Sequence, residues 1–75
     1  KSGRGKLVIR QLSEPSSVRV IRQKLDLTQS AFAGLMGVSV RTVQDWEQGR
    51  REPSGTAKSL LRIAEQYPEA FLQVA

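Results

Sequence analysis

The sequence predicts an all-α domain of five short helices, led by a basic arm that holds a short extended segment. Three observations carry this. From Val18 onward, apolar residues recur at three- and four-residue spacing rather than in alternation. Thr28 and Ser39 stand where helix N-caps belong, and Gly37 and Gly49 where left-handed C-caps belong. Pro15 and Pro68 suit first helical turns rather than interiors. The chain divides into an arm over residues 1–14 and a helical domain over residues 15–75.

Lys1 to Gly5 contains two glycines and reads as a mobile tail. Lys6 to Arg10 (KLVIR) is β-prone, and a lone strand needs a partner to form in water. Ser13 to Ser17 links it to the first helix, which runs to about Leu25 with Val18, Ile21 and Leu25 on one face. The second helix starts at its cap Thr28, buries Phe32, Leu35 and Met36, and stops at Gly37. The third runs from its cap Ser39 to Gly49. A basic loop, Arg50 to Ser54, leads to a fourth helix over Gly55 to Gln66, with Leu60, Leu61 and Ala64 inward. Pro68 opens the last, PEAFLQVA.

Seventy-five residues make one small domain. Such a chain buries only about 60–65% of its unfolded surface, so dimerisation is a natural supplement. With no cysteine and no histidine, most zinc sites and the commonest general base are absent, and no metal or cofactor is expected. The seven carboxylates show no paired arrangement, which argues against an enzyme. Aromatic residues are 5% of the chain, too few for stacking on single strands. No apolar run nears the ~20 residues of a membrane span, so the expected compartment is the cytoplasm. A net charge of +5 points to a polyanionic partner.

The third helix narrows the choice of partner. Val40, Val43 and Glu47 line one side, with Trp46 at the edge, while Arg41, Gln44, Asp45 and Gln48 share the other. The major groove of duplex DNA admits one such helix, and these side-chain types read base edges. A bidentate Arg41–guanine contact supports about 1–3 kcal/mol of discrimination. Gln44 suits an adenine. Asp45 either accepts from a cytosine amino group or holds Arg41 in its reading rotamer. The plain alternative is that Arg41 and Asp45 form an ordinary i,i+4 surface pair. The preceding turn favours reading: Gly37 supplies a positive φ, Val38 plugs the turn, and Ala31 and Ala33 allow close helix approach. Thr28 and Gln29 sit at a helix N-terminus suited to phosphate. Arg50, Arg51 and Lys58 suit backbone phosphates. Trp46 reads first as core.

The stretches LTQSAFAGLMGVS and RTVQDWEQGRREPS resemble the Cro/repressor-type (XRE) helix-turn-helix family over about Val18 to Tyr67. The resemblance implies a lambda-repressor-like fold whose second and third helices form the reading unit, and a homodimer on a palindromic operator in double-stranded DNA. It implies base-facing positions at Val40, Arg41, Gln44 and Asp45, phosphate-facing ones at Gln29, Ser39 and Thr42, and a salt bridge between Arg22 and Glu47. EPSSVRVIRQKLDLTQ and LLRIAEQYPEAFLQVA further resemble type II antitoxins of the HigA and MqsA kind. The absence of an MqsA-like zinc domain in this chain favours the HigA-like branch. This likeness implies an autoregulating, nucleoid-associated repressor with a cognate toxin. Phe71, Leu72 and Val74 are too apolar for a free tail and fit an isologous dimer interface, the alternative being that they fold onto their own core. The rival functional reading is an interaction module that chiefly neutralises a toxin, with Gly5 to Arg10 adding a strand to the partner's sheet.

Overall fold

Four hydroxyl side chains start four of the helices. Ser17, Thr28, Ser39 and Ser54 each accept from the backbone N–H three residues on, at Val20, Ala31, Thr42 and Ala57. Each such cap is worth about 1 kcal/mol. In this computed structural model, which describes residues 17–73, they open α1 (Val18–Lys24), α2 (Gln29–Met36), α3 (Val40–Gln48) and α4 (Gly55–Gln66). A last helix, α5 (Pro68–Leu72), carries proline at its start. The described residues are all-helical, as the sequence predicts. The expected Lys6–Arg10 strand and Val74 lie outside them.

The first three helices end in the same motif. In each, one residue takes a left-handed conformation: Asp26 at φ 60°, Gly37 at 73° and Gly49 at 79°. The next residue reaches back five positions: Leu27 N–H to Arg22, Val38 to Ala33 and Arg50 to Asp45. The left-handed residue itself reaches back three. These are Schellman endings, which satisfy carbonyls that the helix leaves unpaired. They turn the chain sharply between α1, α2 and α3 and so set the pose of the helix pair.

The core gathers Val18, Ile21, Phe32, Ala33, Met36, Val43, Leu61, Ala64 and Phe71. Leu25, Leu27, Leu35, Val38, Trp46, Ala57 and Leu60 pack partly buried around it. α1 packs on α3 and α4, α2 on α3, and α5 on α4. Ala33 is buried but Ala31 is exposed. Residues two apart on a helix do not share a face, so Ala33 alone contributes to the close approach.

Phe71 corrects an expectation. It does not wait on the surface for a second chain. It is fully buried, with its ring centroid 5.8 Å from that of Phe32 at a tilt of 40°. The tail folds back on its own core because Pro68 starts α5 immediately after α4 and returns Phe71 to α2. Leu72 stays exposed.

Candidate nucleic-acid interface

α3 has an inner and an outer side. On the inner side Val43 is fully buried, and the Glu47 side chain is only 1% exposed. A buried carboxylate requires partners. Arg22 of α1 supplies a bidentate one: Nε donates to Oε2 at 2.6 Å and Nη2 to Oε1 at 3.2 Å. Arg22 is itself anchored, since Nη1 donates to the Leu27 carbonyl at 2.9 Å. Gln29 Nε2 of α2 also donates to Glu47 Oε1, at 3.0 Å. Arg19 approaches the same oxygen at 3.7 Å.

One carboxylate therefore ties three helices together. Burial pushes its pKa up, but the hydrogen bonds from Arg22 and Gln29 and the charges of Arg22 and Arg19 outweigh that and hold it below the usual range. The Arg22 guanidinium is pushed up, chiefly by its hydrogen bond to Glu47.

The same network reaches the outer side. Gln44 Nε2 donates to Gln29 Oε1 at 3.4 Å, so Gln29 bridges Glu47 and Gln44. Gln29 thus engages one amide N–H and its carbonyl oxygen inside the helix pair, at the N-terminus of α2. The Thr28 hydroxyl caps α2 and is exposed. Ser39 Oγ accepts from Thr42 N–H at 3.1 Å and lies 3.0 Å from Thr42 Oγ1. Both hydroxyls stand at the N-terminus of α3.

Val40 is exposed, and the Arg41 side chain is 78% exposed. Asp45 departs from its expected place. It does not face outward: its side chain is only 11% exposed. Arg50 Nε donates to its Oδ1 at 3.1 Å, Arg41 Nε lies 3.7 Å from the same oxygen, and Arg51 Nη1 lies 3.8 Å from Oδ2. The physical reason is the Schellman ending at Gly49, which folds Arg50 and Arg51 back over the last turn of α3. A helical wheel, which groups Asp45 with Arg41 and Gln44, contains no such return. The spacing from Asp45 to the residue after Gly49 is the sequence signal of that return.

Two groups of sequence-expected site residues come together. Gln29 and Gln44 meet where α2 crosses α3, with Thr28 at the start of α2. Arg41, Asp45, Arg50 and Arg51 meet along the outer edge of α3. Lys58 is half-buried on α4. Among the described residues, no group of three or more carboxylates, histidines or cysteines is arranged to hold a metal ion. No described helix is long and apolar enough to cross a membrane.

Residues 18–68, more than half of the chain, match the helix-turn-helix family. The chain is 36% identical over 61 residues to antitoxin HigA-2 of Vibrio cholerae, covering 81% of this chain and 59% of that protein. It is 28% identical over 60 residues to antitoxin MqsA of Escherichia coli, covering 80% and 46%. The chain spans less than two thirds of the length of either relative.

Proposed function

This chain belongs to the helix-turn-helix family of the Cro/repressor (XRE) type, and on that premise we propose that it is an antitoxin that represses its own operon by reading a palindromic operator. One observation carries the reading. Arg41 and Gln44 project from a helix whose inner face is locked to both neighbouring helices through Glu47. Such locking fixes the pose of the reading side chains, which is what direct readout requires.

In this reading α3 enters the major groove. Arg41 pairs with a guanine, Gln44 with an adenine, and Val40 meets a thymine methyl. The start of α2, with Thr28 and Gln29, faces one backbone phosphate. Ser39 and Thr42 face others and fix the register of the helix, while Arg50 and Arg51 stand beside that backbone, drawn toward Asp45. The protein works at the nucleoid and carries out no chemistry of its own.

A palindromic operator calls for a two-fold dimer, with half-sites about 34 Å apart. Phe71 is committed to the core, so the contact between copies falls to exposed apolar residues near the α4–α5 junction. Ile63 and Tyr67, 41% and 63% exposed, line one shallow groove with Ser59, Arg62 and Gln66. Leu72 adds a third exposed apolar group. The names of both relatives support a toxin as the protein partner.

The test is selection of bound duplexes from a random-sequence pool, followed by gel shift. The expected product is an inverted repeat, and Arg41→Ala should abolish the preference while leaving weak general binding. Recovery of no preferred sequence, or full preference in Arg41→Ala, would sink the reading.

A further inference from the structure

Asp45 is an acid where local rules disfavour one. It lies in the last turn of α3, where the helix dipole opposes negative charge. It follows Arg41 by four residues, the weaker order for a helical ion pair. It nevertheless gathers three guanidiniums around one nearly covered carboxylate. Arg50 is bound to it twice, through main chain at 2.9 Å and side chain at 3.1 Å. In a Schellman ending these two positions commonly share an apolar contact. Here an ion pair occupies that place.

Resting on the DNA-reading assignment above, we propose that Asp45 is a positioning residue that sets sequence discrimination. It holds Arg41 along the outer edge of α3 and withholds Arg50 and Arg51 from phosphate. Sequence-independent affinity comes almost entirely from cations that displace counterions at phosphates. A phosphate that recruits Arg50 must compete with a carboxylate that is already hydrogen-bonded and largely shielded from water. Arbitrary duplexes therefore gain little from this cluster, and base contacts decide. Discrimination is a ratio of affinities, and lowering the general one raises it.

The test compares wild type with Asp45→Asn on two labelled duplexes of equal length. One is the duplex that the wild-type chain selects, and the other is its scramble, each titrated from ~50 to ~200 mM salt. Asp45→Asn should bind the scramble about tenfold more tightly at low salt, with a salt slope steeper by about one to two. Affinity for the selected duplex should change less, so the ratio falls. An unchanged scramble affinity and slope, or equal weakening on both duplexes, would overturn the proposal. Loss of preference at a single base pair, with the scramble unaffected, would instead make Asp45 a base reader. If the wild type selects no sequence, the DNA-reading assignment fails, and the discrimination role fails with it. The scramble arm still reports separately whether Asp45 restrains the arginines.

Should Asp45→Asn fail to fold, the wild-type chain supplies the answer through its Arg50 Nε–H resonance. That signal should remain protected when the scramble is added. A shift with the scramble equal to that with the selected duplex would overturn the proposal.

Discussion

Glu47 and Arg22 meet through two hydrogen bonds, at 2.6 and 3.2 Å, and their bond joins α3 to α1 beneath the reading face. The pair is asymmetric in exposure: the Glu47 side chain is 1% exposed and that of Arg22 15%. Removing the acid therefore strands a guanidinium and the Gln29 amide together. Breaking one partner of a buried pair typically costs about 3–5 kcal/mol, a large share of the stability of a domain this size. Glu47→Ala should lower the urea midpoint sharply or unfold the chain. Its effect on DNA binding should follow from that loss and from the freeing of Gln44.

The same pair gives a pH dependence with a definite sign. The Glu47 carboxyl is held below its ordinary value, so the folded state binds its proton less readily than the unfolded chain does. Its contribution is complete above the unfolded carboxylate range, near pH ~4.3, and is lost as pH falls through the lower folded value. Urea midpoints of wild type and Glu47→Gln should be furthest apart near neutrality and should converge below that range. A gap that widens on acidification would contradict the assignment.

Asp26 stands in a left-handed conformation that glycine adopts at the equivalent place in α2 and α3. A side chain with Cβ pays a steric penalty there, reduced for Asp. Asp26→Gly should therefore stabilise by up to about 1 kcal/mol, raising the melting temperature by roughly 4–8 °C. Gly49→Ala should do the reverse. Thermal melts followed by circular dichroism check both.

How much of this was legible in the sequence divides by range. The caps at Thr28 and Ser39 and the stops at Gly37 and Gly49 are local chemistry, and the helices begin and end there. Asp26 is not legible as a helix stop, because only its φ, not its residue type, marks the turn. The apolar content of the last segment implies that Phe71 is covered, but not by which chain. Asp45 falls outward on a helical wheel because a wheel takes the third helix as a cylinder that ends, whereas the chain folds back over its last turn. The Arg22–Glu47 pair lies 25 residues apart in sequence. Only the family resemblance joins them, since nothing in the local pattern does.

Phe71 and Tyr67, four residues apart, now carry opposite expectations. Phe71→Ala removes a ring packed on Phe32 and should cost about 3–5 kcal/mol of stability. Tyr67 is exposed, and its backbone, not its side chain, joins α4 to α5: its N–H donates to Ile63 at 2.7 Å and its carbonyl accepts from Phe71 at 3.1 Å. Tyr67→Glu should leave the melting temperature of the monomer nearly unchanged, because surface substitutions away from such bonds usually stay within about 0.5 kcal/mol. If the α4–α5 groove is where two copies meet, the same change buries a charge between them and should shift sedimentation at micromolar concentration from dimer to monomer. Affinity for an inverted repeat should then fall while binding to a single half-site is retained. A dimer that persists in Tyr67→Glu and in Ile63→Glu would move the interface off this groove.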